Sequence, residues 1–139
     1  MAITNLGTKI SRLGTATVAP LAPAGQPNAT TVNGEKIDLL DYEGDIVFQI
    51  VSTATGDAAK TCTFSLLESS TETDGDFAAI SAAGGGPLTV THDNAGINVV
   101  FQRNCDHLKR YVRLRLVTVG SSLSGHYAAT GFGSKKYGA

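Results

Sequence analysis

The sequence predicts an all-β protein, an antiparallel β-sandwich of jelly-roll type with an extended N-terminal arm. Its 139 residues suit a single domain. Short runs either alternate apolar and polar residues or are rich in β-branched residues, and turn signals such as TGD, TDGD and DNAG separate them. No run of ten or more residues shows a helical apolar face. Seven or eight short strands at this spacing are typical of an all-β sandwich or barrel.

The first segment, residues 1–35, follows neither the helical nor the strand period and holds three of the four prolines. Proline fixes φ and favours an extended conformation in the residue before it. We therefore expect an irregular extended arm that is either disordered or held down by something outside the domain core. Its short apolar side chains are candidate docking residues: Leu6, Ile10 and Leu13.

The sandwich domain is predicted over residues 36–132. Its strands are expected at 45–52, 60–69, 76–81, 87–92, 97–103, 110–119 and 124–132. The last segment, residues 133–139, reads GSKKYGA and is interpreted as a short basic tail, too small and polar to join the core.

The strand RYVRLRLVTV presents two different faces, because side chains alternate along a strand. One face is apolar, with Val112, Leu114 and Leu116. The other carries Tyr111, Arg113 and Arg115. A row of arginines on one face indicates either a solvated sheet surface or a surface that meets another protein.

Charge is nearly balanced over the whole chain, with a net charge of −1, which argues against a general nucleic-acid binder. It is segregated along the chain, however. Five of the 11 basic residues fall between 103 and 115, and acidic residues concentrate at 35–45 and 57–76. Either these charges pair across neighbouring strands, or they orient a partner. The candidate interface residues, besides those of the arm, are Arg110, Tyr111, Arg113, Arg115, Lys135 and Lys136.

Candidate chemical sites each have a simpler interpretation. ETDGDF brings together Glu72, Asp74 and Asp76, as a calcium loop would, but Asp-Gly between two strands is also a hairpin signal. Cys105 and His107 stand two residues apart with no separated orienting group, so no enzyme activity and no cofactor are expected. The glycine run 84–86 precedes a strand, whereas a phosphate loop opens a helix.

The cysteines Cys62 and Cys105 are too few for a disulfide scaffold and are interpreted as buried thiols, with a disulfide between them as the alternative. No apolar run is long enough to span a membrane as a helix, and the N-terminus lacks the apolar core of a secretory signal. Neither a membrane nor nucleic acid is therefore expected as a partner.

Two stretches carry a resemblance to a known family. FSLLESSTETDGDFAAI (64–80) and KRYVRLRLVTVGSSLSGHYAATGF (109–132) resemble small β-sandwich proteins of tailed-phage structural gene clusters. The resemblance covers about residues 36–132. It implies a capsid cement or decoration protein, made in the host cytoplasm, that binds the outside of the major capsid protein shell in the virion and stabilises it. It also implies a homo-oligomer, a dimer or trimer.

Two alternatives stay open at this stage. One is a carbohydrate- or receptor-binding sandwich of a tail appendage, although the chain has no Trp and only nine other aromatic residues for stacking against sugars. The other is a tail or head-completion protein, which would share the virion location.

Overall fold

The structure is a computed structural model that describes residues 10–20, 30–40, 42–56, 58–120 and 126–135. Of residues 10–20, 30 and 135 it describes only the backbone. The predictions made for Leu6 and Lys136 therefore lie outside the described residues.

In the part of the chain that the structure describes, ten β-strands form two antiparallel sheets that pack face to face. The four-stranded sheet has the order β1-β10-β4-β8, and the other sheet runs β2-β9-β5-β6, with β3 also pairing with β9 and β7 with β5. The strands are β1 (Ile10–Pro20), β2 (Thr30–Asn33), β3 (Ile37–Asp38), β4 (Tyr42–Ser52), β5 (Thr61–Ser69), β6 (Ala78–Ala79), β7 (Leu88–His92), β8 (Ile97–Asn104), β9 (Tyr111–Val119) and β10 (His126–Lys135). In the described ranges the only helical pieces are three-residue 3-10 turns, so the predicted antiparallel β-sandwich is confirmed.

The strand order is that of a jelly roll. Apart from the two-residue strands β3 and β6, eight strands remain, and they pair first with last: β1 with β10, β2 with β9, β4 with β8, and β5 with β7. The chain thus behaves as one long hairpin that is rolled up, with β10 against β4 and β9 against β5 closing the two sheets.

The described part of the predicted arm is extended but not irregular. β1 pairs with β10 over its length, with register shifts between Arg12 and Gly14 and between Ala16 and Ala19. β2 pairs with β9, from Thr30 opposite Thr118. The expectation of an arm without sheet structure was therefore wrong for these residues, because backbone hydrogen bonds to distant strands order a segment that lacks a clear side-chain period.

The core lies between the two sheets and is built from alternate residues of the long strands. Phe48 and Ile50 of β4 face Phe64 and Leu66 of β5, and Val112 of β9 joins them; each is at most 1% exposed. Burying a side chain of this size contributes about 1.5–3 kcal/mol to folding. The alternation that predicted these strands is thus the alternation that fills the core.

Several predicted boundaries change; β4, for example, begins at Tyr42 and not at residue 45. In the predicted strand 76–81 only Ala78–Ala79 is a strand, because Asp74–Asp76 forms a 3-10 turn before it. At the other end β10 continues to Lys135, into the segment predicted as a tail, where Lys135 lies opposite Tyr42.

Both cysteines are buried thiols, as the first interpretation had it. Burial raises the pKa of the Cys62 thiol to about 11, so it stays protonated and unreactive at neutral pH. In the described ranges no helix is long and apolar enough to cross a membrane.

Candidate protein-interaction surface

The charges that are segregated along the sequence meet at one end of the sandwich. Antiparallel pairing brings the start of β4 beside the end of β8, with Asp45 opposite Asn104, and the start of β9 beside β3, with Tyr111 opposite Asp38. We call this end, residues 33–40, 42–45, 70–77 and 103–110, the charged end. Among the described residues, the loops at the opposite end contain two charged residues, Lys60 and Asp93.

Arg110 makes the most regular ion pair of the charged end. Its Nε and Nη2 donate to Oδ1 and Oδ2 of Asp38 at 3.0 and 2.8 Å, and its guanidinium lies 5.0 Å from the centre of the Tyr111 ring. The hydrogen bond from Arg110 holds the pKa of Asp38 below its usual range, although burial opposes this in part. Both side chains remain partly exposed, at 47% and 39%, so the pair orients the loop more than it stabilises the fold.

The Arg113 side chain is only 6% exposed and makes its contacts with other residues of the same chain. Its Nη1 donates to Oδ1 of Asp74 at 3.0 Å, its Nη2 donates to the Asp74 carbonyl oxygen at 3.2 Å, and its guanidinium stacks 4.3 Å from the centre of the Phe77 ring. Tyr111, 8% exposed, packs with Leu67 and Phe77 beside it. The loop 70–77 thus covers Tyr111 and Arg113 on the face of β9 that carries the arginines.

The loop 70–77 is held by cations of the chain itself. Lys36 Nζ lies 2.8 Å from Oδ1 of Asp74 and donates to the Glu72 carbonyl oxygen at 2.6 Å. Oδ2 of Asp76 accepts from the Thr71 hydroxyl at 2.6 Å. Lys36 and Arg113 together neutralise Asp74, one of the three acidic residues that the calcium-loop interpretation would use as ligands. The described residues contain no group of three or more His, Cys, Asp or Glu side chains arranged for a metal.

We expect this loop to respond to acid. The Lys36 hydrogen bond and charge, followed by the Arg113 hydrogen bond, lower the pKa of Asp74. A carboxyl group whose pKa is lower in the folded state stabilises that state above its unfolded value of about 3.9, and the stabilisation is lost as pH falls through the folded value. Asp74→Asn should therefore be less stable than the wild-type chain at pH 7, and the difference should shrink as pH falls from about 4 to about 2.5.

Urea denaturation at several pH values would measure this effect. Asp45→Asn is the matched control, because Asp45 is exposed and makes no ion pair with a described residue. A difference between wild type and Asp74→Asn that stays constant down to pH 2.5 would contradict the ionic role of Asp74.

Arg115 lies in a different setting from Arg113. It is half-buried, and its Nε has no hydrogen-bond partner in the described structure. It borders a cavity of about 270 Å³ whose described lining includes Leu114, Leu116 and Tyr127. Burial raises the pKa of Tyr127. Arg115 is therefore the arginine of the predicted row that no described carboxylate engages.

The remaining predicted interface residues are located by their backbone alone. Ile10 lies opposite Ser134 at the start of β1, and Leu13 lies at the register shift that follows Arg12. Lys135 ends β10. Ile10 and Lys135 therefore belong to the same end of the four-stranded sheet as the start of β4.

Glu68 is a structural residue that the sequence did not single out. It is 1% exposed and points into the sandwich, where Oε1 accepts from Ser81 N–H at 2.8 Å and Oε2 from Lys109 N–H at 3.0 Å. The carboxylate thus ties two loops of the same end to β5. Its position in the buried phase of β5, after Cys62, Phe64 and Leu66, is the signal that could have revealed it.

The candidate nucleophile is not assembled. Cys105, Asp106 and His107 share one 3-10 turn, in which Cys105 is buried and His107 is exposed, and the Cys105 thiol is 3.9 Å from Oδ1 of Asp106. The glycine run 84–86 begins with the last residue of the 3-10 turn Ala82–Gly84, and Gly85 and Gly86 have φ values of +101° and +82°. Its amides donate to Ser81 and Ala82 carbonyl oxygens, so they are not directed at an anion.

Comparisons with known proteins place the fold. No protein-family model matches the sequence, and no curated protein does. Among solved structures, the chain is similar to the PBSX exported protein XepA, with a TM-score of 0.53 and 16% identity over 100% of this chain and 42% of that chain. It is also similar to the cowpea mosaic virus top component, with a TM-score of 0.52 and 11% identity over 91% and 83% of the two chains. For PirA the TM-score is 0.51, with 13% identity over 83% and 90%. At these identities the likeness establishes a shared β-sandwich fold.

Proposed function

We propose that this chain is a structural protein of a phage virion that binds the outer surface of the capsid shell and stabilises it without catalysis or a cofactor. Its partner in this proposal is the major capsid protein, and the chain acts as a homo-oligomer after synthesis in the host cytoplasm. The carrying observation is the charged end, where both signs of charge gather on the sandwich, whereas the described loop residues of the opposite end include two charged ones, Lys60 and Asp93.

The charged end has the composition of a docking surface. Arg110, Lys36 and Arg113 pair within the chain, whereas Glu43, Asp45, Asp106 and Lys109 are exposed and make no ion pair with described residues. Three of those four are acidic. A partner surface with basic groups would therefore be oriented by this end, because charge complementarity directs encounter and register.

The fold supports the same proposal from another direction. The jelly roll is an architecture of viral capsid domains, and the cowpea mosaic virus particle is one of the similar structures. The sequence resemblance to phage cement proteins covers the same sandwich. Repetition of a modest contact around a symmetric shell adds affinity without a single strong site.

The arginine strand has a changed role in this proposal. Tyr111 and Arg113 position the loop 70–77, and this loop presents acidic groups to the partner. Arg110 and Arg115 remain proposed contacts, as do the apolar residues of the N-terminal segment, Lys135 at the end of β10, and Lys136.

Co-sedimentation with purified shells that lack the protein would test the function. We expect binding that saturates and weakens several-fold as salt rises from about 50 to about 500 mM, because exposed charges are screened. Neutralising the exposed acids in a Glu43→Gln, Asp45→Asn, Asp106→Asn variant should weaken binding at low salt. Asp93→Asn, at the opposite end of the sandwich, is the matched control and should bind as wild type.

Each alternative function predicts a different result. Binding to tails but not shells would indicate a tail or head-completion protein, and binding to a glycan array would indicate a carbohydrate-binding appendage. Either result, without shell binding, would overturn the proposal.

A further inference from the structure

We propose that two copies of this chain associate through their β8 strands, antiparallel about a twofold axis, so that the two four-stranded sheets become one eight-stranded sheet. This inference specifies the oligomeric part of the proposed function. It is tested in solution without shells, so its failure leaves shell binding to be judged separately.

β8 differs from every other sheet edge among the described strands. β1 carries two register shifts and ends at Pro20. The opposite sheet has its edges in short pieces: β2 and β3 on one side, interrupted around Gly34, and β6 and β7 on the other. β8 runs for eight residues in continuous register with β4. Edge strands are usually protected from pairing by charge, proline, bulges or short length, and residues 97–102 have none of these protections.

The free side of β8 carries unpaired backbone groups at regular spacing. Thr53 N–H donates to the His126 carbonyl across to β10, and donors on one side of an antiparallel strand recur at every second residue. The odd residues of β4 therefore bond to β10 and the even residues to β8. In β8 the odd-numbered residues form the backbone hydrogen bonds to β4. The N–H and C=O groups of Asn98, Val100 and Gln102 therefore point to the free side. The Gln102 carbonyl accepts from the Arg103 guanidinium at 3.0 Å, and a second lone pair remains.

A second copy of β8 complements this edge. With the twofold axis at Val100, each Val100 lies opposite its symmetry mate in a hydrogen-bonded pair, and Asn98 lies opposite Gln102 of the other copy. All three residues have their backbone groups on the free side, so this register pairs the open donors and acceptors of Asn98, Val100 and Gln102 in both copies. Their side chains lie on the exposed face of the sheet, where Val100 is 63% exposed.

Charge and surface composition agree with self-pairing. The two Arg103 residues would lie six residues apart along the strands, about 20 Å, which exceeds the screening length of about 8 Å at physiological salt. Beside residues 97–102, the neighbouring strand β4 places only the uncharged residues Val47, Gln49 and Val51 on the outer face of this sheet, and Val51 and Phe132 are each 41% exposed. Pairing would extend this face across both copies. An interface built from one strand per subunit falls in the size range of reversible contacts.

Sedimentation velocity of the full chain over about 1 to 500 µM would test the proposal. We expect a reversible monomer–dimer equilibrium, and Val100→Lys should raise the dimer dissociation constant at least tenfold because it sets two ammonium groups opposite each other at the axis. Val51→Lys is the matched control: it adds the same charge to the same face, one strand inside the edge, and should leave the equilibrium unchanged.

Crosslinking gives a second, independent measurement. Cα atoms of a hydrogen-bonded antiparallel pair are about 5.5 Å apart, within the span of a disulfide. Val100→Cys should therefore form a covalent dimer on oxidation or with a short bifunctional thiol reagent, whereas Val51→Cys should not; the native thiols are buried. A chain that is monomeric at every concentration, a trimer, or a dimer that Val100→Lys leaves intact and Val100→Cys does not crosslink would overturn the proposal.

Discussion

Replacing Glu68 with alanine is expected to lower the free energy of unfolding by about 2–5 kcal/mol. The carboxylate is 1% exposed and accepts hydrogen bonds from the Ser81 and Lys109 amides. Its removal leaves two N–H groups without acceptors, each at a cost of about 1–3 kcal/mol when buried. The free energy of unfolding of Glu68→Gln should lie between those of the wild type and Glu68→Ala. Glutamine keeps one acceptor oxygen, but its NH₂ group faces the other N–H.

Urea denaturation with unchanged m-value would measure the effect. Glu43→Ala is the matched control, an exposed acid at the start of β4, and should change stability by less than about 0.5 kcal/mol. If Glu68→Ala were as stable as that control, the carboxylate would not be what joins these loops. If the Glu68 carboxylate does join the two loops to β5, the rate of amide hydrogen exchange in Glu68→Ala should rise first in residues 80–86 and 105–110.

Replacing Arg113 with serine is expected to lower stability by about 2–4 kcal/mol, in contrast to what a solvated arginine would show. The change removes two hydrogen bonds to Asp74, the stacking on Phe77 and the packing of the aliphatic stem. Because Asp74 is mostly exposed, the larger part of the loss should come from the stem and the ring contact. Arg113→Met should therefore recover about half of it.

Arg115→Ser is the comparison that separates stability from partner binding. Arg115 is half-buried and no described carboxylate pairs with it, so its replacement should cost about 1 kcal/mol or less. A loss of shell binding by Arg115→Ser with a nearly unchanged melting temperature would assign it to the interface. An Arg113→Ser chain that melts with the wild type would contradict the role given to Arg113 here.

Side-chain alternation predicted the strands that have one buried face. In β5, Cys62, Phe64 and Leu66 alternate with Thr61 and Thr63, and the core uses that pattern. β1 was missed because its order comes from hydrogen bonds to β10, more than a hundred residues away, and a local pattern cannot reveal such a partner. The strand predicted at 76–81 was shortened by the 3-10 turn at Asp74–Asp76.

The candidate site was predicted less well because its contacts are long-range. The arginine row was visible in the sequence, but the cover over Arg113 comes from Asp74 and Phe77, nearly forty residues earlier. Charge segregation along the chain left open whether the charges pair across neighbouring strands or orient a partner. Antiparallel folding brings both signs of charge to one end, where Arg110 and Asp38 pair with each other. In β8, by contrast, the alternation of side chains along the strand is enough to place Val100 on the exposed face.

The first-with-last pairing of the strands also determines when the protein can fold. β10 lies between β1 and β4, so the four-stranded sheet cannot close until the chain has been synthesised through residue 135. A topology rich in such distant pairings has a high contact order and folds in milliseconds to seconds, far more slowly than a helical bundle of similar size. Until β10 arrives, β1 and β4 expose unpaired edges, and a nascent chain in this state is prone to aggregate. When many copies are synthesised close together, the yield of folded protein should therefore depend on how soon β10 pairs with β1 and β4.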